Sequence, residues 1–286
     1  MNFSVYRSID DKPDREIQDY HKEALQHLLT VLSERFAFGE FEDSLNADSL
    51  EAIVKLLPAK GFILRNTIDQ LSSSSALDDS ATKILYATSG STGDPRILFD
   101  QYSDVMENAF FHGLAYKACG LESGDRVVIL GEVGRFAGEY AVIQALSVSG
   151  CTIIPFTSRD LIYENTQVMH DAGATAWVAM QSEILPYLDH WEVNEQSLPP
   201  LRLIITGGEA TSLETRSRLK QLFGTGLEIR STYQTSDAGT IGYQCHHCDV
   251  DEFHVQEELQ FVEILGDGEV GQLVTTNLTR TSAPSI

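Results

Sequence analysis

Apolar side chains recur at Ile17, Tyr20, Ala24, Leu28, Val31, Leu32 and Phe36, the spacing of an amphipathic helix over residues 14–36. A second helix is expected from Asp48 to Leu57, stopping at Pro58. Residues 70–81, QLSSSSALDDSA, are polar and low in complexity and read as a surface loop. Beyond them the pattern alternates. Short apolar runs at Ile84–Ala87, Val127–Leu130, Thr152–Phe156, Ala176–Met180 and Leu203–Thr206 read as strands. Helical patterns at Asp104–Cys119, Phe136–Ser149, Leu161–Ala172 and Ser212–Phe223 lie between or after them. From about residue 227 the character turns to β, with runs at Leu227–Tyr233, Leu259–Leu265 and Gln272–Asn277. The predicted fold class is α/β, mostly parallel sheets flanked by helices, with a β-rich C-terminal part. The expected division is an N-terminal helical segment and loop, 1–80, followed by an α/β region, 81–286.

Composition narrows the function classes. Of 286 residues, 42% are apolar and 22% charged, which is ordinary globular usage. No apolar run approaches the ~18 residues of a membrane span, and the first twenty residues lack a secretory apolar stretch. A formal charge of −22 repels phosphate backbones, so nucleic acid is a poor partner. An anionic ligand would need a local cradle of N–H groups or a bridging cation. Four cysteines in a chain this long do not suggest a disulfide framework. The expectation is a cytoplasmic protein that engages no membrane.

The segment Tyr86-Ala87-Thr88-Ser89-Gly90-Ser91-Thr92-Gly93-Asp94-Pro95-Arg96 follows an apolar strand and sets two glycines among hydroxyl residues. Glycines admit a phosphate close to the backbone, and N–H groups with hydroxyls supply neutral donors. A Ser/Gly-rich surface turn is the other reading. The segment is not a P-loop, because no Gly-Lys-[Ser/Thr] closes it. A second cluster, Cys245-His246-His247-Cys248 with His254 beyond, has thiolates and imidazoles at a spacing that can converge on a tetrahedral Zn²⁺. Cys245, His247, Cys248 and His254 are the candidate ligands, with His246 and Cys151 open as alternatives for the fourth position. Reduced thiols in a solvated loop are the rival reading. Gly266–Gly271 fits G-x-G-x-x-G, but a β-run follows it, so a hairpin is expected there. His112 reads as a packing or surface histidine rather than a base.

The Ser89–Arg96 segment resembles the phosphate-loop signature of adenylate-forming enzymes, the superfamily of acyl-CoA synthetases, luciferases and adenylation domains, with Asp94 where the family usually has Lys. Leu203-Ile204-Ile205-Thr206-Gly207-Gly208-Glu209 resembles the family's strand-end Gly-[Gly/Ala]-Glu beside the adenine pocket. Ser231-Thr232-Tyr233-Gln234-Thr235-Ser236-Asp237 resembles the Tyr-Gly-x-[Thr/Ser]-Glu segment, with Gln234 for Gly and Asp237 for Glu. Leu56–Lys60 with Phe62–Arg65, His254–Glu258 with Val262–Ile264, and Gly268–Arg280 resemble stretches of phenylacetate–CoA ligases in particular. Some of those relatives carry Cys and His at the position of the Cys245–His254 cluster, which the resemblance associates with zinc.

What the resemblance implies is specific. The fold is that of the large N-terminal domain of adenylate-forming enzymes. Ser89, Gly90, Ser91, Thr92 and Gly93 bind ATP phosphates, and Gly207, Gly208, Glu209 and Tyr233 border adenine. Asp237 holds Mg²⁺, and Thr92 and Asp237 are the catalytic contacts. Glu132, Arg135 and Phe136 are candidates to line an acyl pocket. The reaction is ATP-dependent activation of a carboxylic acid, of aryl or aryl-acetic type by the subfamily resemblance, followed by thioester formation with coenzyme A (CoA). A carrier-protein- or protein-acylating enzyme and a non-catalytic binding domain are the alternatives, and a homodimer is carried only by analogy. In the family an Arg-Tyr-x-Thr-Gly-Asp segment and a small lysine-bearing domain would follow Ile286; without that lysine, first-step catalysis is expected to fall by about 10²–10³.

Overall fold

The computed structural model describes residues 4–5, 15–36, 42–60, 82–87, 97–130, 137–156, 161–265 and 271–280. The helices are α1 (Arg15–Phe36), α2 (Glu42–Leu45), α3 (Leu50–Lys60), α4 (Tyr102–Ala118), α5 (Ala137–Ser147), α6 (Ile162–Asp171), α7 (Gln181–Val193) and α8 (Leu213–Phe223). The strands are β1 (Ser4–Val5), β2 (Lys83–Ala87), β3 (Ile97–Gln101), β4 (Arg126–Leu130), β5 (Thr152–Phe156), β6 (Ala176–Ala179), β7 (Leu203–Thr206), β8 (Glu228–Thr235), β9 (Gly239–Tyr243), β10 (Glu252–Val255), β11 (Gln260–Leu265) and β12 (Gln272–Asn277). Two compact units share the chain. One comprises Met1–Tyr6, Ala109–Thr235 and Gly242–His254; the other comprises Arg7–Asn108, Ser236–Ile241 and Val255–Ile286.

The first unit is organised by strands in the order β8-β7-β6-β4-β5, part of an eight-stranded sheet. Its heart is parallel. Val128 pairs with Trp177, Trp177 with Ile204 and Ile204 with Ile229, so β4, β6, β7 and β8 run side by side in register. Every residue of β6 and β7 is buried, which is why these strands read as unbroken apolar runs instead of alternating ones. Successive side chains still take opposite faces. Val128, Trp177, Ile204 and Ile229 pack with Met169 of α6, Tyr187 and Trp191 of α7 and Leu219 of α8. Val127, Ile129, Val178 and Ile205 pack on the other side with Tyr116 of α4 and with Ala145 and Leu146 of α5. Rings reinforce the first layer: Trp177 meets Tyr187 edge-on at 5.1 Å and Trp191 at 5.9 Å. The Trp191 indole N–H is satisfied by Thr166 Oγ1 at 2.9 Å.

The second unit has its own core, in which Leu25, Leu28 and Leu29 of α1 and Ile53 of α3 close on Phe261 and Leu278. Tyr20 donates to the Glu258 carbonyl at 2.6 Å, tying α1 to the turn before β11. Two antiparallel pairs complete it, β2 with β3 and β11 with β12. The latter pairing confirms a hairpin around the glycine-rich Gly266–Gly271 segment, whose loop residues 266–270 lie outside the described residues.

The α/β class and the parallel sheet agree with the sequence pattern. One expectation is corrected, and several elements were not expected. The helix expected to stop at Pro58 runs through it to Lys60. Helix α7 was not expected, although Ile184, Tyr187, Leu188 and Trp191 follow the helical spacing; Pro186 lies inside it and costs one backbone hydrogen bond. Strands β3, β9 and β10 were also missed, since none is a long β-branched run. No helix among the described residues is long and apolar enough to cross a membrane.

His112 of α4 is fully buried with its ring 4.3 Å from Tyr116, and neither ring nitrogen has a partner among the described residues. Burial pushes its pKa down to about 4. The unfolded chain takes up this proton near pH 6.5 and the folded chain does not, so stability is full above pH 6.5 and falls toward pH 4. The loss should approach about 3 kcal/mol. Urea unfolding of the native chain and a His112→Leu variant at pH 7.5, 6 and 5 would check this: the variant should lose less stability between the extremes.

Candidate functional site

The parallel strands deliver their carboxyl ends to one edge of the sheet, the usual ligand position in such folds. There, in the first unit, lies a cavity of about 120 Å³. Tyr116, Ile129, Leu130, Val142, Val178 and Ala179 give it apolar walls, and Met180, Glu183, Gly207, Gly208, Thr232 and Gln234 complete it. Strand alternation accounts for part of this lining. Ile129 and Val178 share a face of the sheet, and on β8 Thr232 and Gln234 share one, with Tyr233 between them turned the other way.

Gly207 and Gly208 follow β7 directly. A Cβ on Gly207 would lie 2.9 Å from Thr232 Oγ1 and 3.3 Å from Gln234 Nε2, so a side chain there would displace the β8 groups. Gly208 has φ +74°, a left-handed conformation that favours glycine. Glu209 is exposed, and its carboxylate caps α7, accepting from Ser182 N–H and Ser182 Oγ at 2.9 Å each. Glu183, nearly fully buried, accepts the Met180 N–H at 2.8 Å in the same helix start. Tyr233 is half-buried with its ring 6.2 Å from Phe253.

Asp237 belongs to the second unit, where its backbone is held by a buried ionic cluster. The Arg280 guanidinium donates to the Asp237 carbonyl, to the Ser236 carbonyl at 3.3 Å, to the Asp100 carboxylate through Nε at 2.7 Å, and to Tyr86 Oη at 3.0 Å. Tyr86 in turn donates to Asp100. Burial alone would lower the Arg280 pKa, but Tyr86 and Asp100 more than offset it and the group stays charged. Burial raises the Tyr86 pKa, so its hydroxyl remains a donor. Sequence reading missed the cluster because Asp100 and Arg280 stand 180 positions apart.

The expected phosphate loop, Ser89–Gly93, lies outside the described residues, as do Glu132, Arg135 and Phe136. The flanking strands β2 and β3 are antiparallel partners with Ala87 opposite Ile97.

The cysteine cluster does converge. Cys245, Cys248 and His254 bring one ligand atom each within 4.8 Å of one another. The two Sγ atoms are 3.8 Å apart, close to the separation of two thiolates bonded at about 2.3 Å to one tetrahedral zinc. His254 Nε2 is 3.1 Å from Cys245 Sγ. Backbone N–H groups already point at sulfur, Cys245 at Cys248 Sγ and His247 at Cys245 Sγ. The loop is closed by Gln244, whose amide donates to the carbonyls of Asp249, Val250 and Glu252. The rings of His246 and His247 stand together at 3.7 Å, outside the converging group, and Cys151 Sγ donates instead to the Leu146 carbonyl at 3.5 Å.

Residues 9–262 match the family described as AMP-binding enzyme. The phenylacetate–coenzyme A ligase of Pseudomonas putida is 27% identical over 214 residues, covering 71% of this chain and 48% of that protein. The chain thus spans about half the length of the curated relatives it matches. Among solved structures, an open conformation of 2-hydroxyisobutyryl-CoA ligase in complex with 2-HIB-AMP and CoA superposes with a TM-score of 0.78 at 15% identity, over 100% of this chain and 74% of that one. The O-succinylbenzoate coenzyme A synthetase of Bacillus subtilis, in complex with ATP and magnesium ion, gives 0.51 at 16% identity, covering 68% of this chain and 41% of that one. These structures share the fold.

Removing one partner of the Asp100–Arg280 pair strands the other without compensation. Arg280→Ala or Asp100→Ala should each lower unfolding free energy by about 3–5 kcal/mol, whereas the apolar double change Asp100→Leu/Arg280→Met should lose less than the sum. Denaturant titrations of the three variants measure both quantities.

Proposed function

The chain belongs to the AMP-binding enzyme family, and from that premise we propose that it forms the nucleotide- and acid-binding part of an AMP-forming acid–thiol ligase. The observation that carries this reading is the family match over 9–262 together with an apolar cavity at the strand ends beside Gly207-Gly208. The acid's carboxylate oxygen attacks the α-phosphorus of ATP. The α–β phosphoanhydride bond breaks, pyrophosphate leaves, and an acyl-adenylate remains. A thiol, that of coenzyme A, then forms the thioester, loses its proton and releases AMP. An aryl or aryl-acetic acid fits the names of the relatives.

In this reading Ser89, Gly90, Ser91, Thr92 and Gly93 cradle the phosphates on the connection between β2 and β3. Gly207, Gly208, Glu209 and Tyr233 border the adenine. Asp237 carries the carboxylate for Mg²⁺, an oxygen ligand of the right hardness whose backbone Arg280 and its partners hold in place. When bound, Mg²⁺ would neutralise charge on the departing pyrophosphate. Glu132, Arg135 and Phe136 remain candidates for the acyl pocket. Cys245, Cys248 and His254 are proposed to hold a structural Zn²⁺, a soft donor set with N–H groups already aimed at its sulfurs. The proposed setting is the cytoplasm.

Calorimetric titration with ATP tests the nucleotide reading. One saturable site is expected, tightened by Mg²⁺ and weakened at least about tenfold by Ser91→Ala/Thr92→Ala; absence of ATP binding with and without Mg²⁺ would overturn it. For the metal, the native chain should retain one equivalent of Zn²⁺ and melt at a lower temperature after chelation. Cys245→Ser should retain none, and its melting should be insensitive to chelator.

A further inference from the structure

We propose that Gln234 is the specificity-determining residue of the acid subsite, and that the subsite takes a compact apolar acid, one ring or a short branched chain, carrying a hydroxyl or amino substituent. The inference rests on the acid-activating reading above. Three observations carry it.

The first is size. The cavity of about 120 Å³ is slightly smaller than the ~150 Å³ apolar cavity known to hold benzene. Tyr116, almost wholly buried, forms part of its wall, as do Ile129 and Val142. A single ring matches such a volume.

The second is the position of the amide. Strand alternation turns Thr232 and Gln234 toward the cavity, and Gly207 has no Cβ to hold them back. The Gln234 Nε2 atom stands 3.3 Å from where that Cβ would be. The side chain is therefore packed against the backbone that closes β7, not swung freely into solvent.

The third is hydrogen bonding. Of the polar groups of the wall, Glu183 is committed elsewhere, accepting the Met180 N–H that starts α7. The Gln234 amide makes no hydrogen bond among the described residues. An amide offers both a donor and an acceptor. Facing an apolar cavity, it favours a ligand that brings a matching polar substituent and disfavours the analogue lacking one, because the amide is then left unpaired. A hydroxyl or amino group on the acid's apolar body is the complement. The Gly expected at this position by resemblance would impose neither the size limit nor the polar preference.

The test uses the full chain with methionine-methyl labelling, because Met180 lines the cavity while Met169 sits in the core as an internal control for folding. Benzoate, 3-hydroxybenzoate, 4-hydroxybenzoate, 2-naphthoate and decanoate are titrated into the native protein, Gln234→Leu and Gln234→Gly, with and without ATP. Hydroxybenzoate binding should shift the Met180 methyl signal and exceed that of benzoate. In Gln234→Leu, which keeps the bulk and removes the amide, the better hydroxybenzoate should weaken about tenfold while benzoate changes less than about twofold. Gln234→Gly should admit 2-naphthoate. An unchanged hydroxybenzoate-to-benzoate ratio in Gln234→Leu, or no Met180 response to any acid, would overturn the proposal. The two readings fail separately. Acid selectivity that follows Gln234 without ATP binding sinks the adenylation reading alone; ATP binding with a ratio indifferent to Gln234 sinks the subsite alone.

Discussion

Parallel pairing of β4, β6, β7 and β8 in one register is the constraint on which the first unit depends. Ile129 stands beside Val178, Val178 beside Ile205 and Ile205 beside Arg230. Parallel strands need helical crossovers, crossovers cover both faces, and covered faces demand apolar side chains at every position. The same geometry makes all the connections after those strands leave from one edge. The cavity, the Gly207-Gly208 turn and the start of α7 are neighbours for that reason. A slip of one residue in β8 would exchange Thr232 and Gln234 for Tyr233 at the cavity wall.

Much of this was legible in the chain. The β4, β6 and β7 runs are so apolar that they declare strands buried on both sides, and Ser212 marks the start of α8, accepting the Thr215 N–H as an N-cap should. The Cys245–His254 cluster was legible because its side chains are local: a tight turn and a short strand place them together with little help from the rest of the fold. The cavity was not. Its lining depends on which face each strand residue takes and on which strands adjoin, and neither Ile129 nor Gln234 advertises its neighbours. The substitution at Gln234 was visible as a departure from a motif, yet only the pairing of β7 with β8 shows what the amide faces. Pro186 hid α7 by carrying a local signal that tertiary packing overrides, since Tyr187 and Trp191 have a core to fill.

Polar groups in the second unit obey a different rule. Asp100, Tyr86 and Arg280 are buried where charge is costly, and each is tolerated because the others saturate it. The guanidinium spends its remaining donors on the carbonyls of Ser236 and Asp237. Those two contacts fix the main chain at Ser236 and Asp237 against the cluster.

The interleaving of the two units bears on how the chain is made. Each unit is assembled from three separate stretches, so no single cut releases a whole one. During synthesis the strands bearing Tyr86 and Asp100 emerge early, and the guanidinium that neutralises Asp100 follows about 180 residues later. At a ribosomal pace of about 5–20 residues per second, that carboxylate waits on the order of ten seconds or more for its partner. The second unit can therefore close only after Arg280 has been made. Until then its half-built core is exposed to chaperones, proteases and neighbouring chains, and quality control has its longest opportunity there.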